Sequence, residues 1–239
     1  VIREVASVYR ASKKRDDINW FTEWVCRPPA AFIVWAVAHT RTTPNQLTLL
    51  SLVACAAACG VWLAAPGHLG AVLGVAVFEV SFVLDCADGQ LARYRKTTSA
   101  AGHFLDFLMD ELKALLVLGT LATRQWLATD DPTWLLVGVV GTAALGAGLA
   151  MTTFLRRSEL GAGGPTSEGQ PHRRRRGARG ALEAVARWFI HYPQYIWIAA
   201  ALDRLDAFVW VYAGIHVLYA GYALLGIGLR FGRFPPARS

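Results

Sequence analysis

Charge is scarce in this sequence and missing altogether over long stretches. Asp, Glu, Lys and Arg make up 17% of its 239 residues. None falls between Arg41 and Glu79, between Asp131 and Arg156, or between Asp206 and Arg230. That scarcity, with 54% hydrophobic residues, excludes a disordered or collagen-like chain. Cysteine is sparse too, and the four positions (26, 55, 59 and 86) have no zinc-like pairing. Cys55 and Cys59 lie four apart in an apolar run and share a helix face, where free Cys packs as a small hydrophobe. No internal repeat is present, and a cleavable signal peptide is not expected, because the N-terminus is polar and basic.

What is present is apolar sequence in membrane-length pieces. A span needs roughly 20 apolar residues to cross the hydrocarbon core. The pattern predicts an all-α integral membrane protein with six transmembrane helices, near 43–65, 69–96, 99–124, 132–155, 181–202 and 206–229. Ahead of them an N-terminal interfacial (juxtamembrane) helix is expected within residues 1–40. Trp20, Phe21, Trp24 and Val25 fall on one side of it, as suits aromatic residues at headgroup level. The following run, "AAFIVWAVAH", is too short to span. The six-helix domain covers 41–230, interrupted by a Gly/Pro/Ser-containing basic loop over 158–180, and a cytoplasmic tail occupies 231–239.

Lys and Arg concentrate in the N-terminal segment, at 93–96, over 156–187 and after 230, whereas the opposite loops keep only Arg124 and Arg204. The positive-inside rule puts both termini in the cytoplasm, with a bacterial or archaeal inner membrane as the expected location. The net charge of +7 follows from the same bias, so no nucleic-acid partner is expected. The Arg173–Arg176 run reads as a topology signal and lipid headgroup contact.

Into this oily background the stretch "DCADGQLARYRKTTSAAGHFLDFLMD" (85–110) sets four aspartates. Asp85 and Asp88 are i and i+3 near the end of the second span, and Asp106 and Asp110 are i and i+4 early in the third. The short "KTTS" link makes the two helices antiparallel neighbours, so the pairs are expected to face each other around one small volume. Two carboxylates about 5 Å apart at an effective dielectric of 20 repel by about 3 kcal/mol. Either some stay protonated or cations sit between them. All-oxygen anionic ligands select Mg²⁺ or Mn²⁺, and two such ions per site suit a phosphoryl displacement. Gly89, Ala92 and Gly102 are small enough to admit a bulky ligand, and Arg93 can fork onto a phosphate.

Asp85-x-x-Asp88-Gly89-x-x-Ala92-Arg93, eight further residues, then Gly102-x-x-x-Asp106-x-x-x-Asp110 resembles the whole signature of the CDP-alcohol phosphatidyltransferase family. The resemblance extends to six spans and to "TPNQLT" (43–48) opening the first. It implies a membrane transferase of phospholipid biosynthesis, moving a phosphatidyl or other substituted phosphate from a CDP-linked alcohol to an acceptor alcohol and releasing CMP. It implies Asp85, Asp88 and Asp106 as metal ligands and Asp110 as general base, also touching a metal. Gly89, Ala92, Arg93 and Gly102 resemble the CDP-binding positions. A homodimer with its site open to the cytoplasm is implied as well.

Several residues carry two readings. Thr43 and Pro44 suit the start of a helix, while Asn45 is a candidate nucleotide contact. Lys113 reads as a salt-bridge partner of a site carboxylate or as an acceptor-phosphate ligand. Arg156 and Arg157 read as snorkelling residues or as acceptor-binding ones. Glu79 reads as structural, His103 as solvent-facing, and Glu111 points away from the aspartates. The aromatic residues Trp188, Tyr192, Tyr195, Trp197, Trp210, Tyr212 and Tyr219 are expected mostly at lipid or interface positions. The competing function is a cation- or proton-coupled transporter, whose carboxylates would lie at the bilayer midplane instead of at one edge. A non-catalytic scaffold leaves the intact motif without a reason.

Overall fold

The computed structural model describes residues 1–13, 20–155 and 191–231. Every regular element among the described residues is helical. In order they are α1 (Ile2–Ser12), a π-helical turn (Thr22–Cys26) that runs into α2 (Arg27–Val37), α3 (Pro44–Ala64), α4 (Gly67–Tyr94), α5 (Ala100–Thr129), α6 (Thr133–Leu155), α7 (Pro193–Ala201) and α8 (Leu205–Phe231). Four of these, α3, α4, α6 and α8, are long and apolar enough to cross a membrane. Six were expected. The third expected span is α5, whose 30 residues reach about 45 Å but include Asp106, Asp110, Glu111, Lys113 and Arg124. Much of the fifth lies outside the described residues, which leaves the nine residues of α7.

Local chemistry explains the boundaries. Thr43 caps α3 by accepting from the Gln46 amide, Gln46 returns the bond to the Thr43 amide, and Pro44 takes the first helical position. At the other end the chain reverses through Pro66 and Gly67, whose φ of +79° suits a residue without Cβ. Arg124, expected in a loop, is instead a buried residue of α5. Its guanidinium donates to the carbonyls of Trp62 and Ala65 at the end of α3 and of Gly67 at the start of α4, so it clasps the turn between the two helices. Trp62 lies flat against Gly74, where a Cβ would come within 2.3 Å of the indole, and donates its own N–H to the Ala71 carbonyl. This pair sets how closely α3 and α4 approach.

The main core gathers α3 to α8 around Trp62, Phe78, Leu118, Leu121, Ile196 and Phe208. Tyr192, Tyr195 and Tyr212 are buried there, contrary to the expectation that they face lipid. They complete an aromatic stack in which Phe78 meets Tyr192 and Phe208 meets Tyr212, each with centroids 5.5 Å apart. Trp197, Trp210 and Tyr219 are exposed as expected, and Trp188 lies outside the described residues. Cys55 and Cys59 are buried and free.

A second, smaller core joins Val8 of α1, Ala30 and Val34 of α2, Leu47 of α3 and Ala87 and Leu91 of α4. It packs the N-terminal helices against the end of α4 that carries the aspartates. Glu23 ties this region together: it accepts from Tyr9 and pairs with Lys13 at 2.9 Å and Arg27 at 2.6 Å. Burial raises the Glu23 carboxyl, but the bonds from Tyr9 and Lys13 and the neighbouring positive charges outweigh it and hold the group below its ordinary value. The Tyr9 phenol is pushed up to about 12 by burial and by Glu23. Trp20, Trp24 and Val25 are exposed, whereas Phe21 is buried. The π-helical turn departs from α spacing just after Phe21, which alters the shared face expected of the four.

Candidate active site

The two aspartate pairs stand on the last third of α4 and the first half of α5. Between them α4 ends at Tyr94, and Lys96 adopts a left-handed conformation (φ 56°) that reverses the chain. Ser99 then opens α5 by accepting from the Gly102 amide at 3.0 Å. The helices are consecutive, but they pack on each other only slightly. Instead α3 packs extensively against both. Carboxylates of α4 and α5 do converge, as expected, but the two helices meet chiefly through α3, which supplies a third wall.

One ligand oxygen each of Asp85, Asp88 and Asp106 lie within 4.8 Å of one another. Asp88 is buried, while Asp85 and Asp106 are half-buried. Asp110 borders this group, with 54% of its side chain exposed. It is linked to the others through Lys113, whose ammonium pairs with Asp85 and lies 2.9 Å from an Asp110 oxygen. Of the two readings of Lys113, the salt bridge is the one in the structure. Its side chain is only 4% exposed, so the charge is held between two helices and away from water.

Two residues of α3 that sequence reasoning passed over complete the wall. The Thr48 hydroxyl donates to Asp88, and Ser51 lies 3.5 Å from the Lys113 ammonium. A signal was available, because Thr48, Ser51 and Cys55 follow at i, i+3 and i+7 as a small polar stripe on an otherwise apolar helix. Three convergent carboxylates with a single nearby ammonium fit a hard divalent cation such as Mg²⁺ or Mn²⁺. That fit rests on donor chemistry: oxygen ligands only, with negative charge in excess.

The small residues of the motif let polar side chains come close to the backbone. A Cβ on Gly89 would sit 3.2 Å from the Arg93 guanidinium, and one on Gly102 would sit 3.7 Å from the Asn45 carbonyl oxygen. Gly102 thus lies close to Ser99 and Asn45, while Gly89 lies under Arg93. Arg93 itself donates through Nε to the Ser12 carbonyl at the end of α1. Ala92 is half-buried on the same helix, and His103 is exposed. One carboxylate oxygen of Glu79 is buried without a hydrogen-bond partner among the described residues. Arg156 and Arg157 lie outside the described residues.

A cavity of about 240 Å³ adjoins Asp110 and Lys113 on the side facing α7 and α8. Phe78, Phe82, Phe107, Tyr192 and Tyr212 form its aromatic walls, and Ser81, Glu111, His191 and His216 add polar groups. A site of this kind has a carboxylate cluster suited to metal at one end, an accessible carboxylate in the middle and an aromatic pocket beyond.

Four helices are thus long and apolar enough to cross a bilayer, and carboxylates from α4 and α5 converge in one cluster. The family model for CDP-alcohol phosphatidyltransferase matches residues 41–174, more than half of the chain, and the protein belongs to that family. Among curated proteins it is similar to the archaetidylinositol phosphate synthase of Aeropyrum pernix, with 37% identity over 78 residues. It is also similar to the bifunctional IPC transferase and DIPP synthase of Aquifex aeolicus, with 28% identity over 102 residues. These matches cover 33% and 43% of this chain, and 38% and 23% of the relatives' own lengths. Family membership lends no support to a transporter.

Proposed function

We propose that the protein is an integral membrane transferase that joins the substituted phosphate of a CDP-linked alcohol to an acceptor alcohol and releases CMP. The observation that carries this reading is the convergence of Asp85, Asp88 and Asp106 within 4.8 Å, beside an accessible Asp110, in a chain of this family.

In this reading Asp110 takes the proton from the acceptor hydroxyl, a step worth typically 10²–10⁴-fold. The acceptor oxygen forms a new bond to phosphorus as the bond from phosphorus to the CMP oxygen breaks, and CMP leaves with that electron pair. Lys113 holds one oxygen of Asp110, whose carboxylate lines the cavity. Asp85, Asp88 and Asp106 hold Mg²⁺ or Mn²⁺, which when bound supplies positive charge against the diphosphate and the departing CMP. Gly89, Ala92, Arg93, Gly102 and Asn45 admit and orient the nucleotide, and the cavity receives the acceptor. Its aromatic walls and scattered polar groups suit a hydroxylated ring. The relatives' names, with archaetidylinositol phosphate among them, favour an inositol phosphate as acceptor. Because Lys113 is already shared by two carboxylates, recognition of an acceptor phosphate falls in this reading to Arg156 and Arg157.

The remaining architecture follows the same reading. Two further spans, α5 and the segment near 181–202, complete six transmembrane helices. The segment containing Trp20 and Trp24 lies in the interface, the protein is a homodimer, and the site opens to the cytoplasm of a bacterial or archaeal cell.

The test is CMP release by purified protein in lipid with Mg²⁺ or Mn²⁺. CDP-diacylglycerol would be paired with inositol phosphate, inositol, glycerol 3-phosphate and serine, and CDP-choline, CDP-ethanolamine and CDP-inositol with suitable acceptors. Metal-dependent release with one pair, lost in Asp106→Asn and in Asp110→Asn although both variants fold, is the expected result. Full activity in either variant with a proven acceptor would overturn the assigned roles.

A further inference from the structure

We propose that Glu111 is a specificity-determining residue for the acceptor: its carboxylate accepts hydrogen bonds from neighbouring hydroxyls of a polyhydroxylated acceptor whose reacting hydroxyl lies at Asp110. The inference rests on the transferase reading above and names the class of acceptor that the cavity would take.

Phe107, Asp110, Glu111 and Ala114 follow at i, i+3, i+4 and i+7 of α5, which is one face of a helix, and all four line the cavity of about 240 Å³. In the sequence Glu111 reads as turned away from the aspartates. In the fold that same angle brings it into the cavity beside Asp110. To the same cavity α8 contributes Tyr212 and His216, one turn apart, with their rings packed edge to face at 4.6 Å.

Packing gives this carboxyl no task. Glu111 is half-buried, yet among the described residues it has neither a salt bridge nor a hydrogen bond, whereas Lys113 serves Asp85 and Asp110. Withdrawing a polar group from water without a partner costs stability, and an ionisable residue turned into a membrane helix bundle marks a ligand path. The chemistry of the cavity says which ligand. A carboxylate offers two oxygens with about four lone-pair sites, so it can accept from two adjacent hydroxyls at once. Aromatic walls with a few polar groups hold a ring and fix its orientation. A second carboxylate beside Asp110 repels phosphate, so the end of the acceptor inside the cavity is the uncharged, hydroxyl-bearing one.

The experiment reads binding and does not depend on turnover. Full-length protein in nanodiscs, with Mg²⁺ and CMP, is titrated with tritiated myo-inositol and separately with myo-inositol 1-phosphate, and the monodeoxy-inositols are run as competitors. Wild type is expected to bind both parent compounds saturably. Glu111→Ala is expected to bind them about 10- to 100-fold more weakly, the usual worth of a hydrogen bond to a charged group. At least one monodeoxy-inositol should bind wild type more weakly by a similar factor and yet match myo-inositol in Glu111→Ala. A role confined to stability cannot produce that pairing. Equal affinity in wild type and Glu111→Ala, losses that simply add, or no binding of either parent compound to wild type overturns the proposal. If Glu111→Ala does not fold, Glu111→Gln, which keeps the volume, carries the same comparison with an expected loss of about tenfold. Inositol binding that depends on Glu111, in a protein that releases no CMP from any donor, would remove the transferase reading and leave this inference standing; CMP release to serine with no inositol binding would do the reverse.

Discussion

Thr48 reaches from α3 to Asp88 and fixes one oxygen of that carboxylate. Partners of this kind orient metal ligands, and losing one typically costs 10–100-fold in metal affinity or activity. Thr48→Val is therefore expected to lower CMP release by about 10- to 100-fold and to raise the Mg²⁺ concentration needed for half-maximal rate. Thr48→Ser should restore most of the loss. Equal activity in Thr48→Val and wild type at limiting Mg²⁺ would remove Thr48 from the site. The aspartates were plain in the sequence because their spacing on a helix is a local property. Thr48 was not, since its role depends on α3 lying between α4 and α5, and nothing in a link of a few residues announces that a third helix will intervene.

At the level of elements, the contact of Trp62 with Gly74 sets the distance between α3 and α4. Gly74→Val forces the two helices apart and is expected to destabilise the fold by about 1–3 kcal/mol, the usual cost of overpacking, read as a lower melting temperature in detergent. Unchanged stability would show that the helices slide freely. The N-terminal helices respond to pH through Glu23. Because its folded pKa is depressed, the stabilisation it contributes is complete above the ordinary glutamate value of about 4.3 and is lost as pH falls through the lower folded value. Acidification should release α1 while the spanning helices stay folded, measured by proteolysis in the segment between α1 and the π-helical turn. In Glu23→Gln that segment should already be cut at neutral pH. Cleavage that does not change between pH 7 and pH 3 would exclude Glu23 as the fastening group. Capping at Thr43 was legible from the sequence, whereas the Arg124 clasp was not: its acceptors belong to the α3–α4 turn, 57 to 62 residues earlier in the chain.

For the whole molecule, the arrangement in the bilayer is the open quantity that charge distribution predicts. In a cysteine-free background, Ser99→Cys should react with a membrane-impermeant maleimide only from the cytoplasmic face, and Thr129→Cys, at the far end of α5, only from the opposite face. Labelling of both from one side would contradict α5 as a span. Bromine-labelled lipids should quench Trp20 and Trp24 most strongly when the bromine lies near the headgroups, as expected of exposed aromatic residues in an interfacial segment.

The sequence by itself determined the helical, membrane-suited character of the protein, the edge of the bundle where the aspartates gather, and the family. Each of these follows from composition or from spacing along two consecutive helices and their short link, and survives whatever the other neighbours do. Only the tertiary structure decided which carboxylates converge, that Lys113 stands between Asp85 and Asp110, that α3 walls the site with Thr48 and Ser51, and that Tyr192, Tyr195 and Tyr212 turn inward. Those outcomes depend on how helices distant in sequence pack together. Neither hydropathy nor helical period carries that information, because an aromatic or a lysine on an apolar helix reads the same whether it faces lipid or a neighbouring helix.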